Sequence, residues 1–110
     1  MTNKKIDTGE TAGKPVVVTT DHRGVFFGYV SAEVLQDAQA VMPETLTLRD
    51  ARMCVYWTSD VRGVLGLAAT GPNKRCRISP AVPSLTLSGL TAILDVAEEA
   101  AKNWEAAPWG

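Results

Sequence analysis

Arg49 and Arg52 bracket a short polar step in the stretch Leu46–Trp57, LTLRDARMCVYW, and Tyr56 and Trp57 close it. A guanidinium grips phosphate through two parallel hydrogen bonds, and a flat base stacks on an aromatic ring for roughly 1–3 kcal/mol. Paired arginines beside adjacent rings therefore suit something flat and anionic. With Arg23 and Phe27 from the preceding hairpin and Arg75 from a later strand, the candidate ligand-binding set is Arg23, Phe27, Arg49, Arg52, Tyr56, Trp57 and Arg75. Strand alternation sets Tyr56 opposite to Trp57, which makes Tyr56 the stacking candidate and Trp57 the packing candidate.

Other chemistry is thinly represented. Nucleophilic catalysis needs a base within reach of Ser, Thr or Cys. His22, the sole histidine, sits in an Asp-His-Arg-Gly turn. Asp21, Asp50, Asp60 and Asp95 occupy turns or caps, where a carboxylate has local structural work. GVLGLAATG lacks the Lys and Ser/Thr of a phosphate loop. Cys54 and Cys76, far apart and with one histidine in the chain, make no metal site, and Cys54 reads as a buried thiol. The expectation is a protein without catalytic residues, cofactor or metal.

The elements that would position these residues follow from pattern. Residues 1–14 are polar and aperiodic and read as a disordered arm. PVVVTT (15–20) and GVFFGYV (24–30) form a hairpin in which Gly24 supplies a positive φ, and Gly28 marks a bulge or a close backbone approach. Ser31 caps a helix over 31–42, ended by Pro43. Leu46–Arg49 is a strand, Asp50-Ala51 a turn, and 53–58 the returning strand, with Met53, Val55 and Trp57 on one side and Cys54 and Tyr56 on the other. A weak helix capped by Ser59 runs to Ala69, its two glycines each costing about 1 kcal/mol relative to Ala. A short strand covers 75–79, Pro80 and Pro83 confining it to an edge or a bend. Leu85–Leu94 is a strand, and Asp95 with Glu98 forms a capping box before a last helix over 96–106. The fold class is α+β: one domain over 15–110, with a small, mostly antiparallel sheet of hairpins and two or three short helices.

Composition sets the outer bounds. At 110 residues the chain is one domain, too short for a large internal cleft, so self-association would be a natural way to build a pocket. A net charge of −1 argues against duplex nucleic acid, which needs many phosphate contacts. The cations nevertheless cluster in sequence between Arg23 and Arg77, while Glu98, Glu99 and Glu105 mark the last helix, so a small anion fits better than a polymer. The N-terminal residues have no apolar core and no run reaches the roughly 20 apolar residues of a membrane span. A cytoplasmic protein is expected.

Taken in order, VVVTTDHRGVFFGYV, LTLRDARMCVYW, GVLGLAATG and LTLSGLTAILDVAEEAAKNWEAAPW resemble a family of small phage-encoded proteins. Its members read as a V-x-T…GVxFG hairpin, an L-x-NAR…YW hairpin, a short helix ending in Gly, and a final strand and helix with a Pro-Trp tail. The likeness spans residues 15–110. Asp50 stands where the pattern has Asn, Met53 replaces a second basic residue, and the segment 31–44 is longer. Most members have no assigned function, and the resemblance extends to the anti-defence sponge that counters Thoeris immunity by sequestering cyclic ADP-ribose signals. The resemblance implies a non-enzymatic homo-oligomer that binds cyclic nucleotide messengers at subunit interfaces. A phage structural or host-partner-binding protein is the alternative.

Overall fold

The longest strand is bent twice, and those bends decide which side chains meet. The computed structural model describes residues 13–108, with β1 (Lys14–Thr20), β2 (Gly24–Val30), α1 (Ala32–Ala40), β3 (Thr45–Tyr56), α2 (Gly63–Ala69), β4 (Arg77–Ile78), β5 (Val82–Ser88), β6 (Leu90–Asp95) and α3 (Glu98–Ala106). The six strands form one antiparallel sheet, in the order β4-β3-β2-β1-β6 with β5 also on β3. The chain is an α+β protein. Most of the expected polar arm, residues 1–12, and the tail residues Trp109-Gly110 lie outside the described residues; Lys14, assigned to the arm, opens β1.

The expected turn at Asp50-Ala51 is absent, because β3 runs through it without reversing. Phe27 pairs with Arg52 and Tyr29 with Arg49, so three steps on β3 face two on β2. The extra residue is a β-bulge, and Asp50 takes φ 50, a left-handed conformation that Asp tolerates better than most residues. Gly28 lies opposite. A Cβ there would sit 2.7 Å from the Leu48 Cβ and 3.2 Å from the Arg49 carbonyl oxygen, so only glycine lets the strands close over the bulge. A second shift falls between Cys54 and Tyr56, where two steps on β3 face one on β4.

β5 and β6 are joined by Gly89 alone (φ 67), yet β5 pairs with β3 and β6 with β1. A one-residue joint between strands on distant partners requires the sheet to roll up. The continuous run expected over 85–94 is thus two strands hinged at a glycine. Inside the roll lie Val16, Val18, Val30, Leu46, Leu48, Ala51 and Leu87, with Leu35 of α1 packed against them. Ser31 caps α1 as its sequence suggests, its hydroxyl accepting from the Val34 N–H at 3.1 Å.

The outer face of β1 and β2 carries a second core. Val17 and Phe27 pack against Leu67 and Ala68 of α2 and Ala100, Ala101 and Trp104 of α3. The Phe27 and Trp104 rings stack with centroids 5.0 Å apart, and the Trp104 indole donates to the Leu67 carbonyl at 3.0 Å. Two local expectations fail here. Ala97, with no side-chain bond, is the N-cap of α3, while Asp95 ends β6 and accepts from Gln39. The helix expected from Ser59 is split by Arg62 at φ 73 into a 3-10 turn and α2. In the hairpin, His22 and Arg23 carry the positive φ values (64 and 65), and Gly24 at φ −70 does not.

Opposite effects on stability are expected at the two sides of the first bulge. Gly28→Ala should lower the unfolding free energy by about 1–3 kcal/mol in urea titration, through forced overpacking. Asp50→Gly should leave it unchanged or raise it by up to about 1 kcal/mol, through relief of the left-handed backbone.

Candidate functional site

The first bulge returns Arg49 and Arg52 to one face of β3, beside Tyr29 and Phe27 respectively. Their fates then diverge. Arg52 is 8% exposed and lies under the C-terminus of α3. Its Nε donates to the Ser79 carbonyl (2.8 Å), Nη1 to those of Trp104 (2.7 Å) and Glu105 (3.3 Å), and Nη2 to that of Ala107 (2.9 Å). Burial pulls its pKa down from the ordinary arginine value, but the carbonyls and the negative helix end favour the cation. Arg52 therefore holds the helix in place and has no donor fork directed at solvent. Phe27 is wholly buried under Trp104, which removes it as a stacking platform. These two members of the expected set are structural.

Arg49 is exposed, and its strand neighbour Tyr29 donates its hydroxyl to the Glu105 carboxylate. Burial, that bond and the nearby carboxylates of Glu105 and Asp50 all push the Tyr29 hydroxyl above its ordinary pKa. Arg23 projects from the hairpin turn. At the end of β3, the second bulge reverses the alternation. Trp57 joins Cys54 against the helix-covered core, not Met53 and Val55 as simple alternation would have it. Tyr56, 52% exposed, faces away from that core. The expected Arg-aromatic surface is thus dispersed: Arg23 is exposed on the hairpin turn, Arg49 and Tyr56 are exposed seven residues apart on β3, and Trp57 packs.

Arg75 sits in the best-built polar arrangement among the described residues. Its guanidinium pairs with the Asp60 carboxylate, which also accepts from the Thr58 hydroxyl. Asn73 ties the two loops: its amide nitrogen donates to Thr58 Oγ1 (3.0 Å) and Asp60 Oδ1 (3.2 Å), and its amide oxygen accepts from the Arg75 N–H (2.9 Å). The Thr58 hydroxyl foremost, then Arg75 and Asn73, hold the Asp60 carboxyl below its ordinary pKa. Asp60 and Asn73 of this network form one wall of an open groove of about 800 Å³, lined also by Gly71, Pro72, Lys74, Asn103 and Ala106–Pro108. The opposite wall is the end of α3, the segment whose carbonyls Arg52 binds. Lys74 makes no hydrogen bond or ion pair with the described residues.

Asp60, Asn73 and Asn103 were invisible as site residues in the sequence. Gly71-Pro72-Asn73 signals a loop, but nothing local says that it meets Asp60 and α3. The two cysteines are both buried and unpaired. Burial, with Cys76 close by, pushes the Cys54 thiol up to about 12. His22 stands exposed on its turn. Among the described residues no cluster of three or more His, Cys, Asp or Glu could hold a metal ion, and no helix is long and apolar enough to cross a membrane.

A family model described as "Domain of unknown function (DUF6948)" matches residues 13–104. No curated protein and no solved structure matches the chain.

Two outcomes are expected. Arg52→Lys should cost about 2–4 kcal/mol of stability in urea titration, since an ammonium cannot span three helix-end carbonyls and Ser79 at once. In alkali, the folded protein retains protons on Cys54 and Tyr29 that the unfolded chain releases. Their contribution is intact below pH 9.0 and fades as pH rises toward about 12 for Cys54. The urea midpoint should therefore fall above pH 9, and less steeply in Cys54→Ala.

Proposed function

The chain belongs to the DUF6948 family of domains of unknown function, and on that premise we propose that it is a non-catalytic binding protein for a small anionic nucleotide. In the fullest form of this reading it is a phage anti-defence sponge. It self-associates in the host cytoplasm and sequesters a cyclic ADP-ribose isomer or a cyclic oligonucleotide without turnover. The observation that carries the proposal is the groove at Asp60 and Asn73, where Lys74, unpaired among the described residues, and a fixed amide and carboxylate face a wall of small residues. Its volume of about 800 Å³ falls within the range of small-molecule sites. Lys74 would neutralise phosphate and the Asn103 amide would meet base or ribose edges, while Arg75, ion-paired with Asp60, stands outside this groove's lining with Arg49 and Tyr56. The phage link rests on the ordered sequence motifs.

Sequestration must outcompete a receptor, which calls for nanomolar affinity, about −12 kcal/mol. Ligand at roughly 100 times Kd adds about 2.7 kcal/mol to stability, or about 10 °C or more in Tm for a domain this small. Thermal shift against cyclic ADP-ribose isomers and cyclic di- and trinucleotides should find such a ligand, released intact on heating. Lys74→Ala should remove the shift. No shift from any of them sinks the proposal, and release of a converted product makes the protein an enzyme.

A structural or partner-binding role without a small ligand is favoured by a different observation, the exposed apolar side chains of Met53, Val55 and Val82. Copurification with virions or with one host protein separates that reading from the first.

A further inference from the structure

We propose that the free edge of β5 is the surface on which the chain pairs, antiparallel and about a two-fold axis, with a second copy of itself. This deepens the self-association within the proposed function and is independent of the ligand. β5 is hydrogen-bonded to β3 along one side, and among the described residues no strand is paired to its other side. A row of outward backbone donors and acceptors is thereby left for another strand.

Charge selects the occupant. In a two-fold contact each side chain meets its own kind or a near neighbour on the copy, so a charge near the axis opposes itself. Natural edges are commonly guarded by such charges. The other edge elements carry them, Arg77 on β4 and Asp95 on β6, whereas β5 reads VPSLTLS and carries none. Ser84, Thr86 and Ser88 are its exposed polar residues, Thr86 with its hydroxyl bonded to that of Thr47 on β3 (2.8 Å); they tolerate their own copies and offer no charge to select a different chain. Pro83 withholds one N–H near the start, which confines the pairing to Ser84–Ser88.

Area sets the strength. Val82, at the start of β5, is 42% exposed and extends apolar surface beyond the paired segment, whereas Met53 and Val55 lie on β3, across β5 from the free edge. Five paired residues with one flanking apolar side chain fall toward the small end of specific interfaces, below about 1,200 Å² in total, which predicts a reversible dimer.

Sedimentation velocity of the wild type, from about 5 to 200 µM, should show the mass rising from 11.8 kDa toward twice that value. Thr86→Lys and Thr86→Glu should each sediment as monomers with unchanged circular dichroism, and their equimolar mixture should regain the dimer. Ser84→Lys and Ser84→Glu provide the same test should the Thr86 variants unfold. A monomeric wild type, charge variants that dimerise like the wild type, or a mixture that stays monomeric each overturns the proposal. Nucleotide stabilisation measured on monomeric Thr86→Lys judges the ligand reading separately.

Discussion

The guanidinium of Arg52 is the joint on which this structure turns. The last carbonyls of a helix have no partner within the helix, and burying them bare is costly. Here Trp104, Glu105 and Ala107 offer theirs to one side chain, which also binds Ser79 in the β4–β5 link. A single cation thus fastens the end of α3 to the middle of the sheet. Trp104 is then fixed over Phe27, and the Ala106–Pro108 wall of the groove is set against the Asp60 network. The arrangement depends in turn on the Asp50 bulge. Without that extra residue, Arg52 would point into the roll, where the interior is aliphatic.

That dependence explains which features were legible in the sequence. Local signals were read well: the β1–β2 hairpin, the Ser31 cap, the close approach at Gly28 and the α+β class all follow from patterns a few residues long. Bulges defeat such reading. Asp50 carries a turn residue's chemistry, but its positive φ serves a strand that continues. The shift at Val55 likewise sent Trp57 to the face opposite the one that alternation assigns. Arg52 was singled out for a sound chemical reason, its fork of donors. The partners of that fork are backbone carbonyls 27 to 55 residues away in the chain, which no spacing rule reveals.

The same physics redistributes the basic residues. A run of cations between Arg23 and Arg77 looks like one patch in the sequence, but each strand reversal and bulge sends its members to different places. Arg52 goes inside, Arg49 stays on the open face beside Tyr29, and Arg75 is ion-paired with Asp60. What survives as a site is a groove whose polar wall is built by loop residues bonded to one another. Mutual bonding of that kind restrains side chains before any ligand arrives, which lowers the ordering cost of binding.

The one-residue joint at Gly89 has a consequence for how the chain reaches its fold. Rolling the sheet pairs β1, near the start of the chain, with β6, near its end, so that Val16 must wait for Asp95. Pairings this distant are slow to form, because the intervening loop must close before any contact rewards it. During synthesis the β1–β2 hairpin would be complete while its outer edge and half of its apolar side chains still lacked cover. The roll can close only once Leu90–Asp95 has left the ribosome, and until then the open edge of β1 is the part most in need of protection.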